Sequence, residues 1–327
     1  MAKIKKLNWF DKPKLKTLTS FLDANNENLT ESFSPDILPF CLHYYLPLRY
    51  KFYPESYLLT DNREILGLIT TNVYRGNPEK INISRLMFWE NSYETAQQLS
   101  EFVIAQYGAM GARTFYILID EYNSELAQLL VNNCGFRQCS TEQLWEIPKR
   151  AFKKNRNVSC RRFKKSDIKE ASEIYNDSVL SYFKPALNRN EKEFTEPLCS
   201  GLRPQSEYRY VIEIEQLSKI QAYFKISTSD NECFTVDFNY SEGYDIDFDT
   251  IMYFASREIL KRKRQFKLLI KMKNYIRTNK NQTDYLCGHG FKCVNTKLLL
   301  VKDFFKIIKE PEKNFVVLDA GYNGSSF

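Results

Sequence analysis

The chain has 327 residues, a length that favours two domains over one, and its 43% apolar residues are enough for packed cores. Its 47 Lys and Arg residues and 40 Asp and Glu residues give a net charge of only +7, spread over both halves, which excludes a polycationic arm for nucleic acid. Eight cysteines without a C-x-x-C pair exclude a regular disulfide framework, and no run approaches the ~20 apolar residues of a membrane span. We expect a soluble, cytoplasmic protein without a leader peptide, a membrane contact or a nucleic-acid partner.

The first half alternates between strand and helix patterns. Its clearest signal is a hairpin, in which apolar runs at 57–60 and 65–69 flank four polar turn residues. In chain order the predicted elements are an opening strand within 1–9, a helix at 15–22, an aromatic segment at 37–53, the hairpin, a strand at 80–88, a helix at 96–107, a strand from 113 and a short helix at 123–134.

The segment 148–157 is polar, basic and without period, so it predicts a linker with a domain boundary near 152. The second half then repeats the order of the first. Its predicted elements are a strand at 158–163, a helix at 166–179, an irregular segment at 183–206, a hairpin of 208–214 with 219–226, a strand at 233–238, a helix at 249–263, a strand at 267–271, a short helix before Gly290, a strand at 293–301 and a last strand at 314–319.

Each half has a short helix that ends in a Gly-Phe pair, at Gly135 and at Gly290. Glycine is the expected residue after a helix, because it reaches positive φ without a Cβ penalty. The two glycines lie 155 positions apart, and a chain that repeats itself at that period is expected to contain two copies of one domain. We therefore predict domains at 1–152 and 153–327.

This order of elements resembles the GNAT (GCN5-related N-acetyltransferase) fold, once in each half. The resemblance implies an α/β, or α+β, architecture: two tandem domains, each a mixed sheet flanked by helices and splayed at its middle strands, where acyl-CoA enters. It also implies an N-acyltransferase, or acetyltransferase, that passes an acyl group from acetyl-CoA or another acyl-CoA, as co-substrate, to a small-molecule or peptide amine. In many tandem members one half has lost its cofactor site.

The resemblance places the pyrophosphate of the cofactor on a loop with the pattern Arg or Gln, two residues, Gly, any, Gly or Ala. Backbone N–H groups and a helix N-terminus make such a loop a sensible anion site. The stretch 89–94 has no glycine, whereas 239–245 keeps Gly243, and each contains two carboxylates that oppose phosphate binding. The implied cofactor-binding residues therefore lie in the second half: Phe238, Asn239, Ser241, Gly243, Tyr244 and Asn279.

The family also carries a tyrosine that protonates the departing thiolate, seven residues after an asparagine and four before the Gly-Phe pair. In the second half Asn279 matches, but Tyr285 precedes the tyrosine slot by one residue; in the first half the slot holds Val131. The implied catalytic residues are Tyr285 as acid and Glu213 as base, with Glu215, Glu90 and Asp237 as alternative bases, because the family commonly uses a glutamate of its central strands. The first half is expected to be degenerate.

Three further features have a structural and a functional interpretation. His43 and His289 are possible proton carriers, but a wall residue and a solvated turn histidine are the simpler interpretations. Cys287, His289 and Cys293 match no common zinc spacing, so no metal is predicted. The basic stretch 257–280 suits a 3′-phosphate or an acidic partner, or simply a solvated helix end. Two alternatives to the transferase stay open: a catalytically silent binding or scaffold protein, and an aminoacyl-tRNA-dependent transferase.

Overall fold

A computed structural model gives the structure of the protein. It describes residues 2–8, 11, 54–62, 64–89, 93–148, 152–154, 158–195, 206–214, 219–228, 230–241 and 248–304. Outside these residues lie the predicted helix at 15–22, the aromatic segment at 37–53 with His43, and the tail strand at 314–319.

The described part of the first half contains six strands and two helices. They are β1 (Lys3–Lys6), β2 (Glu55–Asp61), β3 (Glu64–Tyr74), β4 (Asn77–Phe88), α1 (Tyr93–Ala109), β5 (Thr114–Asp120), α2 (Ser124–Asn132) and β6 (Arg137–Ile147). The hairpin of β2 and β3 confirms the turn prediction. The inner stripe of α1, which includes Leu99 and Val103, is buried as its helical spacing predicts.

The described part of the second half contains six strands and four helices. They are β7 (Val158–Arg162), α3 (Ile168–Ser178), α4 (Lys184–Leu187), β8 (Ser206–Ile214), β9 (Lys219–Thr228), β10 (Cys233–Tyr240), α5 (Phe248–Leu260), β11 (Lys267–Lys273), α6 (Asn279–Gly288) and β12 (Lys292–Asp303). The segment predicted to be irregular contains α4 and two short 3-10 turns, Ser181–Phe183 and Glu191–Phe194, because Pro185 and Asn190 favour helix starts there. No described helix combines the length and apolarity needed to cross a membrane.

All twelve described strands form one sheet in the order β1-β2-β3-β4-β5-β12-β6-β11-β10-β9-β8-β7. Each strand of the first half has its counterpart at the same distance from the opposite edge, so the order has an approximate two-fold symmetry. The two predicted hairpins, β2–β3 and β8–β9, occupy equivalent places near opposite edges. The boundary at 152 itself stays a prediction.

The last strand of each half is exchanged with the other half. β12 lies between β5 and β6 of the first half, and β6 lies between β12 and β11 of the second. The exchange carries side chains with it: Trp145 and Ile147 of β6 are buried in the core of the second half, and Leu300 of β12 is buried in the core of the first. The two cores are therefore built from both halves.

Helices cover both faces of the sheet in the second half. Helix α5 packs on one face, where Phe234, Val236 and Phe238 of β10 point. Helix α3 packs on the opposite face of β9 and β10. Tyr116 of β5 belongs to this second layer, which continues across the junction of the two halves.

Gly135 and Gly290 confirm the predicted helix ends. Their φ angles are +72° and +71°. Phe136 donates its N–H to the carbonyl of Leu130 at 3.1 Å, and Phe291 donates to that of Leu286 at 3.0 Å. Both Gly-Phe pairs thus follow equivalent helices, α2 and α6, with a glycine at positive φ, although the Phe136 bond reaches back six residues and the Phe291 bond five.

Candidate active site

The parallel strands β10 and β11 separate towards one end. Their pairing runs from Cys233–Lys267 to Asp237–Lys271. Beyond that point both strands continue, β10 to residue 240 and β11 to residue 273, without pairing to each other. The result is a wedge-shaped opening in the sheet, the splay that the resemblance implied.

One edge of β10 presents main-chain groups to this opening. Ser241 donates its backbone N–H to the carbonyl of Gln221 at the β9 side, at 2.9 Å. Because successive residues of a strand direct their N–H and C=O groups to opposite sides, those of Phe238 and Tyr240 point towards β11. Among the described residues, the pairing with β11 stops before them. This edge can therefore bind an extended ligand that carries amide groups.

Three polar side chains alternate on the face that α3 covers: Asp237 and Asn239 of β10, and Ser241 directly after it. The strand rise of ~3.3 Å per residue places the first and last of them roughly 13 Å apart. Asn239 is 3% exposed, and its Oδ1 is buried without a hydrogen-bond donor among the described residues. A buried acceptor without a donor costs about 1–3 kcal/mol. Such an atom is suited to accept a hydrogen bond from a ligand in the opening.

A buried ion pair closes the deep end of the opening. The Lys273 ammonium contacts the Asp237 carboxylate across the gap, and the residues are 4% and 8% exposed. Burial would raise the pKa of Asp237, but Lys273, Lys225 and Lys271 lower it well below its usual range. Burial lowers the pKa of Lys273 to about 8; Asp237 opposes this effect and Arg189 adds to it. Asp237 is therefore a weak base, whereas Lys273 titrates within reach of neutral pH.

A cleft of about 510 Å³ lies at the outer end of β10, between α3, the start of β9 and the segment after β11. Glu170, Glu173 and Asp177 line it from one face of α3, since residues three, four and seven positions apart share a helix face. Lys219 and Arg277 line it from the other elements. The cleft is thus largely polarised: α3 contributes three carboxylates and one cation, Lys169, and the facing elements contribute two cations.

One of these carboxylates has a structural task. Glu170 accepts the backbone N–H of Ile220 at 3.0 Å. The register between β8 and β9 shifts at this point, so that Gln221 is an extra residue in β9 and leaves the neighbouring N–H to be satisfied by a side chain. Glu173 and Asp177 are exposed and remain available to a ligand.

The first half has a comparable opening but a shorter connection beside it. β4 and β5 stop pairing after Ile83–Ile117. Only residues 89–92 separate β4 from α1, whereas 241–247 separate β10 from α5. Tyr93 and Glu94, the last two residues of the first-half stretch that corresponds to the pyrophosphate loop of the family, already lie in α1. The second half therefore has the longer loop at the position that the resemblance assigns to the phosphates.

Tyr285, the predicted acid, bridges α6 and α5. Its hydroxyl donates to Asp249 Oδ1 at 2.6 Å, in the first turn of α5. Its ring lies 5.0 Å from that of Phe248 and 4.1 Å from that of His289, between centroids. The next residue, Leu286, is fully buried. Tyr285 thus lies on the face opposite to the α3 cleft, and its role as acid stays a prediction.

Glu213, the predicted base, lies on β8, two strands away from the opening. Arg161 donates its Nε–H to Glu213 at 2.9 Å and holds Asp167 with both terminal nitrogens, at 2.7 and 3.0 Å. The structure does not bring Glu213 together with Tyr285, nor does Glu213 line the cleft. Its role as base also stays a prediction.

Three of the predicted cofactor residues lie together at the opening. Phe238 turns its side chain into the core beside Phe248, with 6.0 Å between ring centroids, and offers its main chain to the opening. Asn239 and Ser241 point to the opposite face, and Ser241 lines the cleft.

Asn279 stands apart from this group, at the start of α6. It donates from Nδ2 to Asn274 Oδ1 at 2.8 Å, and its own Oδ1 is a buried acceptor without a donor among the described residues. Gly243 and Tyr244 lie outside the described residues, so their predicted roles remain predictions.

Several cations of the basic stretch 257–280 form ion pairs within the sheet. Lys267 and Lys271 of β11 contact Glu146 and Glu142 of β6, at 3.1 and 3.0 Å. These pairs join the two halves across the exchanged strand. His289 is an exposed residue at the end of α6, and the described residues contain no group of side chains suited to a metal.

Sequence reasoning missed two parts of this site. The spacing of Glu170, Glu173 and Asp177 was visible and predicts a shared acidic face, but nothing local shows that this face borders the opening. The contact of Lys273 with Asp237 depends on where two parallel strands part, which strand patterns do not reveal.

Solved structures with the same fold cover nearly the whole chain. A tandem GNAT protein from the clavulanic acid biosynthesis pathway, solved without AcCoA, matches with a TM-score of 0.61 at 9% identity, over 93% of this chain and 98% of its own. A GCN5-related N-acetyltransferase from Sphaerobacter thermophilus matches with a TM-score of 0.55 at 12% identity, over 92% and 95%. A putative acetyltransferase from Pyrococcus horikoshii matches at 0.52 and 9% identity, over 93% and 90%.

No protein-family model and no curated protein matches the sequence. The structural matches agree with the splayed, two-fold symmetric sheet described above. At these identities they show the fold alone: the chain has the architecture of a tandem GNAT protein.

Proposed function

We propose that the protein is an N-acyltransferase that uses an acyl-CoA and an amine acceptor, and that its active site is the opening between β10 and β11. The observation that carries this proposal is the open main-chain edge of β10, which ends beside a polarised cleft. An extended chain with amide groups fits the edge, and a charged acceptor fits the cleft.

The residues of the second half fit an acyl-CoA in its pantetheine portion. The main-chain groups of Phe238 and Tyr240 would pair with its amides as a further strand would. The acyl-CoA supplies a thioester whose carbonyl carbon forms the new amide with the acceptor nitrogen, while the carbon–sulfur bond breaks and the sulfur gains a proton. Asn239 Oδ1 accepts a hydrogen bond from the acceptor amine and so orients it.

The acceptor enters through the cleft. Glu173 and Asp177 attract it in its ammonium form and raise its local concentration. Before it reacts, the amine must lose a proton. This proton passes to the neutral form of Lys273, which is populated near neutral pH because burial lowers the pKa of Lys273 to about 8. Asp237 keeps Lys273 in place rather than acting as the base itself.

The proton for the departing sulfur is assigned to Tyr285. Its hydroxyl now donates to Asp249 at 2.6 Å. To act as the acid, Tyr285 has to exchange this bond for one with the sulfur, which requires a shift of the first turn of α5 or of the tyrosine side chain. We therefore expect Tyr285→Phe to lower the rate of thiol release more than the affinity for acetyl-CoA.

The test is a thiol-release assay with acetyl-CoA and a panel of small amines, amino acids and lysine peptides. The double variant Glu173→Gln/Asp177→Asn should raise KM for a cationic acceptor and leave KM for acetyl-CoA unchanged. Glu191→Gln, an exposed carboxylate that does not line the cleft, is the matched control. Binding of acetyl-CoA without thiol release from any amine would contradict the transferase and favour the silent binding protein.

A further inference from the structure

The hairpin β3–β4 of the first half is fixed against the second half. Asn77, beside its tip, donates to Glu193 Oε1 at 3.0 Å, and Lys80 contacts the same oxygen at 2.8 Å. Lys80 also donates to the carbonyl of Asn188 at 2.6 Å. Arg75 occupies the tip with a φ of +51°, a conformation that few non-glycine residues adopt. These contacts hold Arg75 at the junction of the two halves.

A second arginine, Arg189 of the second half, approaches the same tyrosine as Arg75, whose guanidinium lies 5.3 Å from the centroid of the Tyr74 ring. Arg189 is 4% exposed, and its guanidinium lies over the ring of Tyr175, 3.7 Å from the centroid. Asn176 and Ser172 of α3 fix its backbone with bonds of 2.8 to 3.1 Å. One terminal nitrogen donates to the Tyr74 hydroxyl, at 3.4 Å, which is long for a strong bond. Three hydrogen bonds thus fix the backbone of Arg189, whereas among the described residues its guanidinium has only this long hydrogen bond and the contact with the Tyr175 ring.

The carboxylates near this junction already have cations of their own. They are Asp237 with Lys273, Glu142 with Lys271, Glu193 with Lys80 and Glu207 with Lys225. Within the described residues, neither Arg75 nor Arg189 has an ion pair, and the Nε atom of each is buried without an acceptor. A charge that is buried as deeply as that of Arg189 and has no ion pair costs several kcal/mol. Arg75 is half-buried, and its charge opposes that of Arg189.

The charges of both arginines act on the hydroxyl of Tyr74. Burial would raise its pKa, but the charges of Arg189 and Arg75 lower it to about 8. An aromatic hydroxyl that ionises this readily lies in a strongly positive environment. The junction therefore favours an additional negative group.

We propose that Arg75 and Arg189 form a binding site for an oxyanion, the carboxylate or phosphate group of a small ligand, at the junction of the two halves. A guanidinium presents a planar fork of N–H donors that matches both groups. The two side chains come from different halves, so a bound oxyanion would also join the first half to the second. The site goes beyond the proposed acyl transfer and does not depend on it.

The test compares the full-length protein in sodium chloride with the same protein in sodium phosphate or sodium succinate, at equal ionic strength. Thermal unfolding and calorimetry measure the response. We expect a saturable rise of Tm with at least one of the two anions, and their difference identifies whether a tetrahedral or a carboxylate group is preferred. Arg189→Met and Arg75→Met should each weaken this binding at least ~10-fold, as expected for the loss of a charged hydrogen-bond donor.

Arg262→Met is the matched control. Arg262 also lies over a tyrosine ring, 3.9 Å from the centroid of Tyr208, and donates to Tyr210 at 2.9 Å, away from the junction. Its loss should leave the anion response unchanged. Arg189→Lys keeps the charge without the fork and should retain part of the response, which separates binding from a folding defect.

Three results would overturn the proposal. The first is a wild type whose Tm does not depend on either anion. The second is an equal response in wild type, Arg189→Met and Arg75→Met, which would make it a general salt effect. The third is phenolate absorption that Tyr74→Phe removes, seen at pH 7 in chloride alone, since Tyr74 would then supply the counter-charge.

Discussion

Replacing Lys273 by Met should lower the free energy of unfolding by about 3 kcal/mol at pH 7. The substitution keeps the length of the side chain but leaves the Asp237 carboxylate buried without its nearest cation. Breaking a buried pair in this way typically costs about 3–5 kcal/mol. Lys225 and Lys271 also lower the pKa of Asp237 and remain in place, so we expect the lower end of that range.

A double-mutant cycle separates the ion pair from the rest of the substitution. Asp237→Leu with Lys273→Met removes both charges and fills the space with apolar atoms, so the double variant should lie within ~1 kcal/mol of the wild type. The cycle should then give a coupling free energy of at least ~2 kcal/mol. Urea unfolding with linear extrapolation measures all four proteins, and similar slopes show that the states compared are alike.

The pH dependence of the free energy of unfolding tests the same ion pair independently. Because the pKa of Asp237 is lowered in the folded state, the unfolded chain binds more protons as the pH falls past its ordinary value of about 3.9. The stability from this group is therefore complete above that pH and is lost below it, and the acid limb should be shallower in the double variant. If Lys273→Met has no effect, or the two single effects simply add, the ion pair does not stabilise the opening.

Three further predictions concern the fold and the site. Gly135→Val and Gly290→Val should each lower the free energy of unfolding by more than ~1 kcal/mol, because both glycines have positive φ. The effect of Gly135→Val should be larger, since its Cβ would also lie 2.8 Å from Lys302 Nζ. Unchanged melting temperatures in both variants would refute the capping role. Trp145→Ala should lower the free energy of unfolding by about 3–5 kcal/mol, because Trp145 of β6 is buried in the core of the second half. Since both cores contain strands of both halves, the variant should unfold in a single cooperative urea transition, and two separate transitions would argue against the exchange. Asn239→Leu should preserve or raise stability, since it removes an unsatisfied buried acceptor, but raise KM for the amine acceptor; unaltered kinetics would place the acceptor elsewhere.

The order of elements could be predicted because each element carries its own local pattern. Alternating residues predicted the hairpin β8–β9, helical spacing predicted α1, and Gly135 and Gly290 ended equivalent helices. In each of these segments the spacing of apolar residues matches the strand or helix that forms. The repeated order of the segments indicated the tandem architecture.

The exchange of β6 and β12 could not be predicted in the same way. Both strands follow a Gly-Phe pair and both have apolar residues on the two faces, so either could pair within its own half. Their partners are decided by contacts between residues far apart in the sequence, such as Lys271 with Glu142, which are 129 residues apart (271 − 142). The same holds for Arg75 and Arg189, which approach Tyr74 from different halves while Glu193 holds the hairpin beside them.

The most direct test of the acyltransferase proposal is calorimetric titration with acetyl-CoA. We expect one site per chain with an affinity no better than tens of micromolar, about −6 kcal/mol, because carboxylates flank Gly243 in the predicted pyrophosphate loop. Gly243→Asp should abolish the heat, whereas Asn91→Asp, which adds the same charge to the shorter connection of the first half, should leave it unchanged. Binding that survives Gly243→Asp but is lost in Asn91→Asp would move the site to the first half, and the absence of heat with any acyl-CoA would contradict the proposed function.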